Sequence, residues 1–537
     1  MHDAGKTWMF HTRDGKPFMP IGVQTHNSST GTDLVDASLR VLKLFGGNTL
    51  EAPVYWNAVE PEEGRYDFAL VKDLVDRVRE ADAHLVLLWF GMSKNGHPNY
   101  APDYIKLQPE TYHMAIGHDG APVMSLSPHC MATLDRDKAA FLSMLSFVNE
   151  YDSAEGTVLA VQIENEMGYA NTDRDYSAEA EADYQKDVPE ELQGLKFPDM
   201  WGDAPMESSV PASPWKRRFG RYAHEAFSSW YTARYIETLA AAGKEIWPLP
   251  FYTNVFVGES AYEEAGACYN AGAGVSRMLD LWKIAAPSLD LIAPDIYNPT
   301  LHDYRRICVS YKRSNNPLFI PESPVKGIPN AMNLIVAAGQ YEAEGVACFG
   351  AEGALDENGN LSPDSEDIAI SMQVIAKISP LLMKYHGKGC IYGFTQEEFE
   401  AYRYLKLPDY HVIIRYTNCN PQNFGYTSDV ASAAGRKKIQ RRGRAILVQT
   451  GPQEFYLCGA GAMAEFIRRP DPWEENSYGQ MISRAGSQLN FLSVEEGHFE
   501  DGEFVCDFRR NGDETNFAQY VLEGQMIRIR LNPNTMG

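Results

Sequence analysis

Close cysteine pairs are missing from this sequence. Its eight cysteines lie at 130, 268, 308, 348, 390, 419, 458 and 506, no two nearer than the 29 residues between Cys390 and Cys419. That excludes the CxxC spacing of redox centres and zinc ribbons and reads as scattered reduced thiols. Long apolar runs are also missing. The longest strongly apolar stretch, Leu85–Phe90, is far short of the roughly 20 residues a helix needs to cross a bilayer. The first residues, MHDAGKTWMFHTRDGKPF, lack the apolar centre of a secretory signal; taken as the native start, they predict a cytoplasmic protein. Basic residues are scarce: 48 Lys+Arg stand against 72 Asp+Glu, a net charge of −24. Such a chain repels nucleic acid and anionic membrane surfaces, so neither is expected as a partner. The 13 histidines form no HExxH and no close pair, and no GxxxxGK[ST] or GxGxxG follows a strand-like run. No metal and no nucleotide cofactor is expected.

What is present is enough apolar residue, 44% with 12% aromatic, to fold a chain of 537 residues into more than one domain. Short apolar runs alternate with longer amphipathic ones. The strand-like runs are Phe18–Val23, Gly47–Ala52, His84–Phe90, Thr157–Ile163, Pro248–Thr253, Leu289–Ala293, Pro317–Ile320 and Gly345–Gly350. Helix-like stretches follow them at Leu34–Phe45, Phe68–Ala81, Asp137–Glu150, Trp215–Ala242, Val275–Ala285, Leu301–Arg313, Ala331–Glu342 and Asp367–Lys384. Strict alternation implies a parallel sheet, and eight units close a (β/α)₈ TIM barrel, expected over residues 1–385. Two connections are long, 91–136 and 167–214. Both follow strand C-termini, the face where such barrels keep their sites.

From about Gly387 the runs become short, β-prone and separated by turn residues: Tyr402–Leu407, His411–Tyr416, Arg444–Thr450, Glu454–Leu457, Glu503–Phe508 and Met526–Leu531. These predict an antiparallel β-rich accessory domain over 386–537. The basic run Arg436–Arg444 within it reads as a solvated loop. The domain carries no catalytic signature. Roles as a barrel cap, a carbohydrate binder or the interface of a homo-oligomer are all open to it.

Two glutamates stand out. In VLAVQIENEMG an apolar run ends in Gln162, Glu164, Asn165 and Glu166, so a strand delivers carboxylates to its C-terminal tip; loop acids on an acidic protein are the plain alternative. Glu322, in NPLFIPES, follows another short apolar run. The fourth and seventh strands face each other across a barrel mouth. Paired carboxylates there are the apparatus of glycoside hydrolysis, one protonated to help the leaving oxygen depart and one ionised to attack the anomeric carbon. A retaining enzyme needs them about 5 Å apart.

VQIENEMG and PLFIPES resemble the strand-4 and strand-7 signatures of the clan of retaining barrel glycosidases. WNAVEPEEGRYDF (56–68) resembles the strand-2 motif of the family thirty-five β-galactosidases and their family forty-two relatives. LDLIAPDIYNP (289–299) resembles the strand-6 motif, and GVQTHNSS (22–29) with DRDKAAFLSML resembles a bacterial subgroup of family thirty-five. The resemblance covers roughly residues 10–355. It implies Glu166 as acid/base, Glu322 as nucleophile, Asn165 as partner of the sugar 2-hydroxyl and Tyr297 as donor to the nucleophile. Further candidates for substrate contact are Trp56 and Trp89 as platforms for a sugar face, His26 and Asn27 at the first strand tip, Lys94 and Asn95 after the third, and Asn254 ending the fifth. Core packing is the alternative for the tryptophans, a satisfied structural residue for His26, and a loop or strand-end residue for Lys94, Asn95 and Asn254. Glu60 reads as structural.

The chain departs from the family thirty-five pattern where galactose is read. WFGMSKNG replaces Cys-Ala-Glu-Trp, and Pro-Val-Tyr-Trp-Asn-Ala-Val-Glu replaces Tyr-Val-Pro-Trp-Asn-x-His-Glu, with Val59 at the histidine position. The expected activity is that of a retaining exo-β-glycosidase, first a β-galactosidase. Alternatives are a β-glucoside-active hydrolase, a transglycosylase, and a non-catalytic carbohydrate-binding barrel.

Overall fold

The computed structural model describes residues 8–197, 212–258, 264–397, 400–419, 441–468, 490–511 and 519–532. Parallel strands β1 (Ile21–Gln24), β2 (Thr49–Tyr55) and β3 (His84–Lys94) alternate with helices α1 (Leu34–Leu44), α2 (Trp56–Val59) and α3 (Ala69–Glu80). The long third connection holds α4 (Asp103–Lys106) and an unanticipated hairpin of β4 (Met114–Ile116) and β5 (Pro122–Leu126) before α5 (Met131–Asp152). Then come β6 (Val158–Asn165), α6 (Ala178–Tyr184), α7 (Pro214–Phe219), α8 (Ala223–Ile246), β7 (Phe251–Phe256), α9 (Leu279–Ala285) and β8 (Leu291–Asp295). Helices α10 (Leu301–Tyr311) and α11 (Ile328–Gly339), strand β9 (Val346–Phe349) and α12 (Glu366–Tyr385) complete the series.

Burial explains the periodicities. Strand β3 is apolar on both faces because sheet neighbours and helices cover both; Leu85 through Phe90 are wholly buried. Helix α3 buries only Val71, Leu74, Val75 and Val78, one stripe at helical spacing.

The parallel sheet runs β8-β7-β6-β3-β2-β1-β9. The expected seventh strand, Pro317–Ile320, is not a regular strand. Pro317, Pro321 and Pro324 have no N–H to give a ladder. The segment still closes the ring. Toward β9, Ile320 N donates to Gly345 O at 3.2 Å and Ala347 N to Ile320 O at 2.8 Å. Toward β8, Ile296 N donates to Glu322 O at 3.0 Å, and the Asn316 side chain stands in for backbone, accepting from Ile292 N at 2.8 Å and donating to Ile292 O at 3.0 Å.

An antiparallel sheet follows: β10 (Ile391–Thr395), β11 (Tyr402–Lys406), β12 (Tyr410–Tyr416), β13 (Arg444–Gly451), β14 (Glu454–Arg468), β15 (Phe491–Glu500), β16 (Glu503–Arg510) and β17 (Gln519–Leu531). Its main path is β10-β13-β14-β17-β15-β16, with β12 pairing both β11 and β14. Alternate residues of β13 face opposite ways: Ile446 and Val448 join the barrel's core, while Ala445 and Leu447 join a second core with Phe455 and Ile527. Helix α11 and β10 meet backbone to backbone at Gly339 and Gly393, where a Cβ on Gly339 would lie 2.8 Å from the Gly393 Cα.

The reading of the basic run as a solvated loop is corrected at its described end. Arg444 is wholly buried, donating to Ser371 Oγ at 2.7 Å and to the Asp367 carboxylate at 2.9 Å. Arg441 pairs with the same carboxylate at 2.9 Å. Buried guanidinium needs such a partner, and α12 supplies it. Residues 436–440 lie outside the described residues. Among the described residues seven cysteines are free thiols, with Cys130, Cys308, Cys348 and Cys458 buried and Cys268 and Cys506 exposed. No described helix is long and apolar enough to cross a membrane.

Candidate active site

The site lies at the C-terminal ends of the parallel strands. Strand β6 is buried throughout and ends in a bend, where Glu164 and Glu166 adopt left-handed φ of 59° and 46°. Such φ values strain a non-glycine residue and persist where surroundings fix them. Here they do. Met92 N and Ser93 N donate to the two Glu164 carboxyl oxygens at 3.1 and 2.7 Å, and Gln162 Nε2 donates to Glu164 O at 2.9 Å. Asn95 N donates to Asn165 O at 3.0 Å. Glu166 N donates to Asn254 Oδ1 at 3.0 Å, and Asn270 Nδ2 to Glu166 O at 2.6 Å.

Below this tip Glu164 meets Asp137 of α5. Burial pushes both carboxyls above their ordinary range, Glu164 further because the Asp137 charge adds to it. Trp89 Nε1 and Tyr235 Oη donate to Asp137 at 2.8 and 2.7 Å. The pair is a buttress under the strand tip.

Across the mouth, Glu322 is 4% exposed. Gln24 Nε2 donates to its Oε1 at 2.9 Å and Tyr297 Oη to its Oε2 at 2.9 Å. Asn254 ties the cluster together: its Nδ2 donates to Asp295 Oδ2 at 2.8 Å and lies 3.4 Å from Glu322 Oε1, while its Oδ1 holds the Glu166 amide. Burial and the Glu322 charge push Glu166 up to about 7, against the lowering effects of Lys94 and Asp295. Lys94, 5% exposed, donates to Asn95 Oδ1 at 2.7 Å and to Asn165 Oδ1.

Several buried polar atoms in this mouth have no protein partner: Gln24 Oε1, Thr25 Oγ1, Asn27 Oδ1, Glu51 Oε1, Ser93 Oγ, Asn165 Nδ2 and Asp295 Oδ1. Buried polar groups are normally satisfied, so these atoms, apart from Asp295 Oδ1 beside the Glu166 carboxyl, are open to hydrogen bonds from a polar ligand. Among the described residues no cluster of His, Cys, Asp and Glu has the form of a metal site. A cleft of about 1020 Å³ opens beside the loop after β8, lined by Pro299, Arg305, Asn333, Glu397 and Arg442; Glu166, Glu322 and Asp295 do not line it.

The structure brings Glu166, Glu322, Asn165, Tyr297, Asn254 and Lys94 together. Asn27 turns its unpartnered Oδ1 inward, while the Asn95 side chain is exposed beside Lys94. His26 is exposed; its backbone N–H is held by the Glu352 carboxylate at 3.1 Å and its ring sits 5.6 Å from Phe349. The tryptophan platforms are corrected. Trp56 and Trp89 are wholly buried, their indole N–H groups bonded to Glu60 at 2.9 Å and Asp137 at 2.8 Å, so neither shows a face to a ligand. Glu60 is structural, held also by Gly64 N at 2.8 Å and by Arg136. Gln24, Asp295, Asn270 and the Asp137–Glu164 pair escaped sequence reasoning. Glu164 is visible as a strand-tip carboxylate though its pairing with Asp137 is not, and Asp295 carries a signal in standing two residues before Tyr297, on the same side of an extended segment.

Residues 28–204 match the family model described as Beta-galactosidase (glycoside hydrolase 42), and residues 368–521 match a model described as Domain of unknown function (DUF5597). A β-galactosidase of Xanthomonas manihotis is 28% identical over 182 residues, covering 32% of this chain and 28% of that protein. The chain thus spans under a third of the length of this curated relative. Among solved structures, Gan42B, a GH42 β-galactosidase, has a TM-score of 0.53 at 11% identity, covering 97% of this chain and 99% of that one. The β-galactosidase of Bacillus circulans sp. alkalophilus has a TM-score of 0.49 at 13% identity, covering 68% and 57%. The likeness to Gan42B runs through both parts of the chain: a parallel α/β barrel followed by an antiparallel β-domain.

Proposed function

We propose that this chain is a retaining β-glycosidase of the family 42 kind acting on β-galactosides, with Glu166 as acid/base and Glu322 as nucleophile. The observation that carries the reading is the contrast between two carboxyls joined through Asn254. One is pushed up to about 7, suited to holding a proton. The other is oriented by two neutral donors at 2.9 Å, and among the described residues no cation bonds it. Glu322 attacks the anomeric carbon as the C–O bond breaks, and Glu166 gives its proton to the departing oxygen. Glu166 then takes a proton from the water that displaces Glu322, so two inversions leave the β-configuration. Asn165 Nδ2, buried and unpartnered, is placed to bond the sugar 2-hydroxyl, a contact that strengthens in the oxocarbenium-like transition state. Tyr297 orients Glu322, and Lys94 fixes the Asn165 amide by holding its oxygen.

The match of the family 42 model to residues 28–204, a segment that contains Asn165 and Glu166, supports this family over family thirty-five. The galactose assignment leans on the same match. The barrel is taken as residues 1–385 and the accessory domain as 386–537, since α12 ends at Tyr385 and β10 begins at Ile391. Proton NMR during hydrolysis of p-nitrophenyl β-galactoside tests the proposal: β-galactose forms first and mutarotates later. Release of α-galactose first contradicts it, and turnover of β-glucoside alone moves the assignment to that sugar.

A further inference from the structure

Asp295 is a third buried carboxyl in the mouth, 2% exposed at the end of β8. Its Oδ2 accepts from Asn254 Nδ2 at 2.8 Å. Its Oδ1 receives no donor, and its carboxyl meets that of Glu166. Two carboxyls in contact repel unless one of them supplies a proton. The groups facing Asp295 are Glu166 from the β6 tip, Glu322 from the 316–324 segment, Tyr297 from its own loop, Tyr252 from β7 and Lys94 from β3. Lys94 is the one cation among these, and its hydrogen bonds go to Asn95 and Asn165. Three ionised carboxylates against one ammonium is a costly arrangement out of water.

We infer that Asp295 is a positioning residue for the acid/base step: it keeps its proton through the reaction and donates that O–H to the Glu166 carboxyl. The arrangement then satisfies every atom. Oδ2 accepts from Asn254, and the protonated Oδ1 becomes a donor. Burial and the charges of Glu322 and Glu166 hold Asp295 well above the ordinary carboxylate range, which agrees with this geometry. When Glu166 passes its proton to the glycosidic oxygen, the bonding pair leaves with that oxygen and Glu166 becomes a carboxylate. The Asp295 O–H is already aimed at the new charge. When water attacks the glycosyl-enzyme, its proton goes to Glu166 and the Asp295 proton stays where it was. A donor aimed at charge that develops during the reaction stabilises the transition state more than the ground state.

The inference rests on Glu166 as the acid/base, and its test separates the two claims. Asp295→Asn replaces the O–H by an amide N–H of the same shape, whereas Asp295→Ala removes the donor. Kinetics on an aryl β-galactoside should show Asp295→Asn within about tenfold of wild type with its basic limb unmoved. Asp295→Ala should lose roughly ten- to hundredfold in kcat, its basic limb rising by about one pH unit as Glu166 loses a donor to its charged form. Asp295→Asn as impaired as Asp295→Ala, or basic limbs that fall in both variants, overturns the inference, because each means an ionised Asp295. Infrared difference spectra of wild type against Asp295→Asn at neutral pH need no turnover. Loss of a carboxylic-acid carbonyl band supports the inference and no loss overturns it, also where Asp295→Ala fails to fold. If Glu166→Gln hydrolyses a galactoside with a poor leaving group as fast as wild type, the acid/base reading fails instead, and the infrared band alone decides whether Asp295 holds its proton.

Discussion

Tyr297 donates its phenolic hydrogen to Oε2 of Glu322 at 2.9 Å, while the residue stays 42% exposed at the mouth of the barrel. A residue so placed acts on the carboxylate without carrying the fold. Tyr297→Phe should lower kcat/KM roughly ten- to hundredfold through loss of one hydrogen bond to a charged group. The melting temperature should change little. A large drop in melting temperature with unchanged kinetics would reverse that assignment.

Glu166 gives a pH dependence of definite sign. The general acid must be protonated, and its carboxyl is pushed up to about 7, so kcat/KM should fall as pH rises through that value. The same shift acts on stability. Between the usual carboxylate value near 4.5 and about 7 the folded chain holds a proton that the unfolded chain has lost, so this group's contribution falls as pH rises. Glu166→Gln should therefore be more stable than wild type at pH 8, with a ceiling of about 3 kcal/mol for a shift of this size, and the gain should vanish near pH 4. Denaturant titrations at the two pH values measure this.

Lys94 works in the opposite direction on the same group. Its charge lowers Glu166, and its ammonium holds the Asn165 amide by the oxygen. Lys94→Met should shift the basic limb of kcat/KM to higher pH while lowering the maximum by about tenfold. A limb that moves to lower pH would rule out the electrostatic part of this account.

Arg444 joins the β-domain to the barrel's last helix through Ser371 and Asp367. Arg444→Leu leaves Asp367 paired with Arg441 and removes the hydrogen bonds of a buried guanidinium to Ser371 and Asp367, which should cost about 1–3 kcal/mol. The thermal transition should move down by several degrees. A shift within error would show that Arg441 suffices to hold Asp367.

Much of this was legible in the sequence, because parallel strands buried on both faces leave continuous apolar runs such as Leu85–Phe90. Seven of the expected strands form. The remaining wall of the barrel, the expected seventh strand at Pro317–Ile320, is apolar and largely buried as a strand would be, but its prolines strip it of ladder donors. Strands β10 and β15 were missed for a related reason. Gly393 breaks the first run, and the second, FLSVEEGHFE, carries three glutamates and a glycine. Glu166 and Glu322 were visible because each ends an apolar run. Trp56 and Trp89 misled because an aromatic near a strand end looks the same whether it faces the mouth or the helices. Only the buried partners Glu60 and Asp137 decide that. Gln24 and Asp295 matter through contacts with residues far away in the chain, Gln24 to Glu322 and Asp295 to Asn254 and Glu166, which no local pattern records.

In the proposed reaction Glu322 forms the covalent intermediate. Turnover of an aryl β-galactoside by Glu322→Ala, with and without azide, tests it most directly. Glu322→Ala should lose activity on the order of 10⁴-fold or more, recovered by azide with an α-galactosyl azide as product, because the small anion fills the space left by the carboxylate and attacks once from the same face. Hydrolysis by Glu322→Ala at the wild-type rate would contradict it.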